Sequence, residues 1–169
     1  MDEDRMTEID ALESAGMHPP GRGEAEPPAT PRSTEAEVRA AVERLLVAVG
    51  NYDLDALAPM LAPGASIAGV VLRDGGWVGA SYPFEAWWAR VAAGPREPYV
   101  ETASHFTVYV DDDRLAFVRA EATLVQDGRT RSHNTDYFTL IRDDAGEWKF
   151  VNCSYTAKPA DAPRQASGG

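Results

Sequence analysis

Four consecutive segments in the second half of the chain constrain its fold more than anything else. Tyr99 to Val110, Leu115 to Val125, Thr130 to Arg142 and Trp148 to Thr156 are long and rich in β-branched and aromatic residues. Between them stand Asp111-Asp112-Asp113, Asp127-Gly128 and Asp143-Asp144-Ala145-Gly146, whose residue types tolerate left-handed backbone and close tight turns. Strands joined by such short links pair antiparallel, so the spacing predicts a four-strand meander.

Ahead of the meander the periodicity is helical. Thr34 followed by Glu37 makes a capping-box pattern, and Val38, Ala41, Val42, Leu45, Leu46 and Val49 then share one helix face up to Gly50. Asp53 suits the cap of a short second helix carrying Leu54, Leu57, Met60 and Leu61, stopped by Pro63. Ser66 to Leu72 and Trp77 to Ala80, joined by Arg73-Asp74-Gly75-Gly76, predict a β-hairpin. A third helix follows Pro83, with Phe84, Trp87, Trp88 and Val91, and ends at Gly94-Pro95. Helices and a hairpin followed by a sheet predict an α+β domain with its helices on one face of a curved sheet.

The domain is expected to span 34–157. Residues 1–33 hold eight acids against three arginines, together with Pro19, Pro20, Pro27, Pro28 and Pro31. Such a stretch buries too little apolar surface to offset its ordering entropy, and it is expected to be a disordered acidic arm. Residues 158–169, rich in Ala, Pro, Gly and Ser, are expected to form a disordered tail. A net charge of −11 opposes nucleic acid and anionic lipid as partners. The single Cys153 leaves no intramolecular disulfide and no multi-cysteine metal site, and a cytoplasmic location is expected.

Strand alternation sorts the polar candidates. Ala116, Val118, Ala120, Ala122 and Leu124 share a face whose small side chains suit a concave wall; Phe117, Arg119 and Glu121 face the other way. On the next strand Phe138 and Leu140 carry Asp136 and Asn134 inward, while His133 and Tyr137 point outward. A carboxyl facing an apolar cavity is raised in pKa and suited to donating or accepting a proton, which makes Asp136 the first catalytic candidate. His105 is the second. With Ala103, His105, Thr107 and Tyr109 inward it would pair with Asp136 as a general base; with Phe106, Val108 and Val110 inward it would be exposed, and alternation leaves both open. Asn134, Tyr52, Trp77, Trp87, Phe138 and Tyr155 are the expected ligand contacts. Neither a cofactor nor a metal is expected, since no Gly-rich phosphate loop follows a strand and the histidines and carboxylates are unclustered.

The run from Val42 to Leu57, with Asp53-Leu54-Asp55-Ala56-Leu57 at its end, resembles the opening of nuclear-transport-factor-2-like (NTF2-like) proteins. Asp136-Tyr137-Phe138-Thr139-Leu140-Ile141-Arg142, then Gly146-Glu147-Trp148-Lys149-Phe150, is similar to the close of their polyketide-cyclase-like and lumazine-binding-type branches. The resemblance implies a cone: a strongly curved, mostly antiparallel sheet wrapped over three N-terminal helices around one pocket. It also implies a homodimer through the outer sheet face. Asp136 falls where ketosteroid isomerases keep the acid that hydrogen-bonds the substrate oxyanion, and His105-Phe106 stands near a catalytic histidine of scytalone dehydratase. Other catalytic positions of those two enzymes are occupied here by Leu45, Gly50 and Gly69, and the Asp–Arg–Asp set of limonene epoxide hydrolases cannot be assembled. The resemblance therefore implies a small-molecule pocket protein, read as a cofactor-independent cyclase, isomerase or dehydratase on an apolar carbonyl-bearing or aromatic substrate. A non-catalytic binding or dimerisation module is the alternative.

Overall fold

A computed structural model describes residues 33–162; the acidic arm up to Arg32 and the tail from residue 163 lie outside them. Three helices, α1 (Thr34–Gly50), α2 (Leu54–Leu57) and α3 (Phe84–Ala92), accompany six strands. The strands are β1 (Leu61–Arg73), β2 (Gly76–Pro83), β3 (Val100–Asp111), β4 (Leu115–Gln126), β5 (Arg129–Arg142) and β6 (Trp148–Pro159). They form one curled, unclosed sheet in the order β2-β1-β6-β5-β4-β3, antiparallel except where β1 runs parallel to β6. The fold is α+β, as expected. The β1–β2 hairpin and the β4–β5 link of the meander close as their residues suggest: Asp74-Gly75 and Asp127-Gly128 both take the left-handed backbone of two-residue hairpin turns. The last strand runs to Pro159, with Lys158 opposite His133 and Pro159 opposite Ser132, so the ordered sheet extends past the expected boundary at 157. Among the described residues no helix is long and apolar enough to cross a membrane.

Helix α1 starts one residue earlier than the capping-box pattern suggests. The Ser33 hydroxyl accepts from the Ala36 N–H at 3.3 Å, on an extended backbone suited to a cap. Thr34 is thereby free to donate to Asp113 in the β3–β4 turn at 2.8 Å, and Glu37 accepts instead from Arg142 at 3.0 Å. Arg142 also donates to Asp113, so one largely buried guanidinium ties the start of α1, the β3–β4 turn and the end of β5 together. Asp53 caps α2 as predicted, accepting from Ala56 N–H at 3.0 Å, and a 3-10 turn over Ala58–Met60 leads into β1.

The core lies between α1 and the concave face of the sheet. Val38, Val42 and Leu45 pack with Ala116, Val118, Phe138, Leu140 and Phe150, all nearly inaccessible. The far end of α1 is held by close backbone contact: Gly50 C=O accepts from Tyr99 N–H at 3.1 Å. A Cβ on Gly50 would sit 2.3 Å from the Tyr99 carbonyl oxygen. In an ordinary exposed helix, Gly→Ala stabilises by about 1 kcal/mol. Gly50→Ala is expected to do the opposite, lowering unfolding free energy by about 1–3 kcal/mol through that clash. Urea denaturation of both proteins measures this, and an unchanged or raised midpoint would contradict the packing described.

Candidate functional site

A cavity of about 260 Å³ opens on the concave face, between the last turns of α1, helix α3 and the inner faces of β5 and β6. Its apolar wall includes Leu45, Leu46 and Val49 of α1, Phe84 and Trp87 of α3, and Phe138. Two aligned rows across the sheet contribute Asn134 and Ala157, and Tyr155 and Asp136, to its lining. One is Ala103–Ala122–Asn134–Ala157, and the other is Gly69–Tyr155–Asp136–Ala120. Alanine and glycine flank the polar members in both rows, which is why there is room above Asn134 and Asp136. Gly69 serves the same end: a Cβ there would lie 2.5 Å from Cζ of Tyr155, whose ring leans across it.

Asp136 is 4% exposed, and its Oδ2 has no hydrogen-bond partner. Burial, and second the charge of Glu101, push its pKa from 3.8 up to about 7. Glu101 also lines the cavity, and burial raises its pKa too, opposed by a hydrogen bond that Asn134 Nδ2 donates to its Oε1 at 2.5 Å. Asn134 is itself 9% exposed, and its Oδ1 is left without a partner. Tyr99 and Tyr155 add hydroxyls whose pKa values burial holds above the usual phenol range. Cys153 lines the same cavity, but burial pushes its thiol up to about 12, so it stays protonated and unreactive. The site is thus two carboxyls and an amide in an apolar enclosure. Burial raises both carboxyls; the charge of Glu101 raises Asp136 further, while the Asn134 hydrogen bond favours the ionised form of Glu101.

The expected His105–Asp136 dyad does not form. His105 is 77% exposed at its side chain, on the outer surface, with Nδ1 3.5 Å from Glu121 Oε2. The reason is a β-bulge: Ser104 pairs with Glu121 and Thr107 with Arg119, so His105 and Phe106 together oppose Ala120 alone. His105 takes the left-handed backbone there, with φ 49°. The bulge reverses the alternation, so Glu101 and Ala103 face inward before it and Phe106, Val108 and Val110 after it. Each of the two phases considered for β3 holds on one side of the bulge, and His105, within the bulge, points outward.

Asn134, Trp87, Phe138 and Tyr155 line the cavity as expected. Tyr52 does not; it stands edge-on against Tyr99 at 6.1 Å between centroids and supports that residue from behind. Trp77 is also misplaced by sequence reasoning: it is 46% exposed near the hairpin turn, with the Lys158 ammonium 5.8 Å from its ring. Trp77 pairs with Leu72 next to the turn, on the edge strand β2, outside the cavity wall. Glu101 and Tyr99 were missed. The signal for Glu101 was its shared phase with Ala103.

Three solved structures carry the same architecture. An NTF2-like protein with a cystatin-like fold from Novosphingobium aromaticivorans is 17% identical, over 96% of this chain and 95% of that one, with a TM-score of 0.57. A provisionally assigned dehydratase of the NTF2-like family from Streptomyces avermitilis is 20% identical over 79% and 100%, with a TM-score of 0.55. A provisionally assigned ketosteroid isomerase from Shewanella frigidimarina is 11% identical over 73% and 97%, with a TM-score of 0.52. No protein-family model and no curated protein matches the sequence. The chain has the NTF2-like, cystatin-like fold, and the resemblance read from its two motifs is borne out at that level.

The raised pKa of Asp136 carries a stability consequence. Between about pH 4 and about pH 7 the folded protein keeps a proton that the unfolded chain has released, so stability falls as pH rises through that window. Asp136→Asn removes the effect while keeping the shape. Relative to the variant, the parent is expected to lose about 2–4 kcal/mol between about pH 4 and about pH 8. Parallel denaturation curves at the two pH values give this difference, and equal pH dependence in both proteins would show that Asp136 ionises freely.

Proposed function

We propose that the protein is a cofactor-independent acid–base enzyme (an isomerase, cyclase or dehydratase) acting on a small, largely apolar, carbonyl-bearing molecule. The observation that carries this reading is the buried Asp136 carboxyl, without a partner on Oδ2, beside a second carboxyl in an apolar cavity. Neutral Asp136 donates to the substrate carbonyl oxygen and stabilises the negative charge that develops there. Glu101, oriented by Asn134, takes the proton from the adjacent carbon. Trp87, Phe84 and Phe138 hold the body of the substrate and keep water from the carboxyls. Neighbours of the same fold described as a dehydratase and a ketosteroid isomerase support the class of chemistry.

Hydrogen–deuterium exchange next to the carbonyl, followed by NMR for a panel of small cyclic ketones, tests this. Asp136→Asn and Glu101→Gln are each expected to slow protein-dependent exchange by about 100-fold or more. His105→Ala is expected to leave it unchanged. The parent rate should fall as pH rises above about 7, where Asp136 loses the proton it donates. A ketone that binds in the cavity without exchanging would establish a non-catalytic binding protein instead.

We also propose a homodimer through the outer sheet face. Tyr109 and Phe117 are paired neighbours there, 68% and 48% exposed, with Tyr137 and Ile141 close by on β5. Sedimentation is expected to show a dimer that Phe117→Glu dissociates; a monomeric parent at tens of micromolar (~50 μM) would contradict it.

A further inference from the structure

A second cavity, of about 300 Å³, adjoins the first and shares Ile67, Val71, Trp87 and Tyr155 with it. The Tyr155 ring, leaning over Gly69, stands between the two. The chemistry of the second cavity is different. Arg73, at the end of β1, and Arg90, on α3, both line it, whereas the first holds carboxyls and no cationic side chain. Neither arginine forms an ion pair among the described residues, a state shared with Arg44, Arg96, Arg114 and Arg129; what sets Arg73 and Arg90 apart is that they line one cavity together. Arg90 lies over the face of Tyr82, its guanidinium carbon 5.0 Å from the ring centroid. That stacking fixes the plane of the fork and leaves its N–H edges free to donate. Arg73 is near enough to Tyr155 to oppose the rise in that phenol's pKa.

We infer that this second cavity binds an anionic oxygen group, carboxylate or phosphate, at the far end of a substrate whose apolar, carbonyl-bearing end occupies the first. The inference rests on the reading of the first cavity as the substrate site and narrows its substrate class. The chain's net charge of −11 repels anions over most of its surface, so two guanidinium groups without acidic partners on the wall of one cavity make that cavity locally favourable to an anion. A paired fork is the strongest carboxylate and phosphate donor a protein offers. A substrate anchored this way has its polar tail at the surface and its reactive end against Glu101 and Asp136.

Three matched probes test the site on the full chain: 3-(4-acetylphenyl)propanoate, its methyl ester, and 2-(4-acetylphenyl)ethyl phosphate, titrated by saturation-transfer NMR. At least one anion is expected to bind about tenfold or more tightly than the ester, and which anion does so assigns carboxylate or phosphate. In the Arg73→Gln/Arg90→Gln double variant that ratio is expected to fall to near one. In Asp136→Asn all three affinities should drop by a common factor, with the ratio kept. Equal affinity of ester and anions in the parent, or a ratio that survives the double variant, would overturn the arginine site and leave the first cavity's reading standing. A ratio that depends on the arginines while Asp136→Asn changes nothing would uphold the site and overturn that reading. Binding of none of the three would overturn both.

Discussion

Everything that makes the interior of this protein chemically interesting depends on one irregularity, the β-bulge at His105 and Phe106. Without the extra residue, strict alternation would carry either Glu101 or Phe106 outward. With it, β3 contributes a carboxyl to the cavity at one end and apolar packing to the core at the other. The outward swing of His105 and the inward placement of Glu101 are the same event. A left-handed backbone at a non-glycine residue costs of order 1 kcal/mol or more, and it is held by the ladder on both sides of the bulge.

The remainder of the site follows from small residues. Ala103, Ala120, Ala122 and Ala157 deny the sheet the side chains that would fill the space beneath α1. Gly50 lets β3 begin in direct contact with the end of α1, and Gly69 lets Tyr155 lie across β1. Their function here is spatial, and the polar groups are supplied from other strands. Arg142 fastens the start of α1 to the β3–β4 turn and the end of β5.

Much of this was legible in the sequence. The turn residues between Val110 and Trp148 delimited the four meander strands, and the alternation on β4 and β5 placed Ala116 through Leu124 and Asn134 through Leu140 on the inner face. What sequence could not supply was phase on β3, where both faces are partly apolar and no glycine or proline marks the bulge. Trp77 escapes the same reasoning: β2 is an edge strand, and there the ring stays half-exposed beside Lys158 rather than in the cavity. The two arginines of the outer cavity, Arg73 and Arg90, lie on different elements and converge only through the fold. Arg142 appeared as the last letter of a motif, and its meaning became visible only with Asp113 and Glu37 in place.

The central claim is that Asp136 keeps its proton near neutrality because apolar burial and Glu101 both disfavour its charge. Carboxyl carbon NMR of aspartate-labelled protein, titrated in the parent and in Glu101→Gln, tests this most directly. One aspartate resonance, absent from Asp136→Asn, is expected to titrate near pH 7 and to move downward once the Glu101 charge is gone. If every aspartate carboxyl in the parent titrates below about pH 5, in the ordinary range for a solvated acid, the account of the site is wrong.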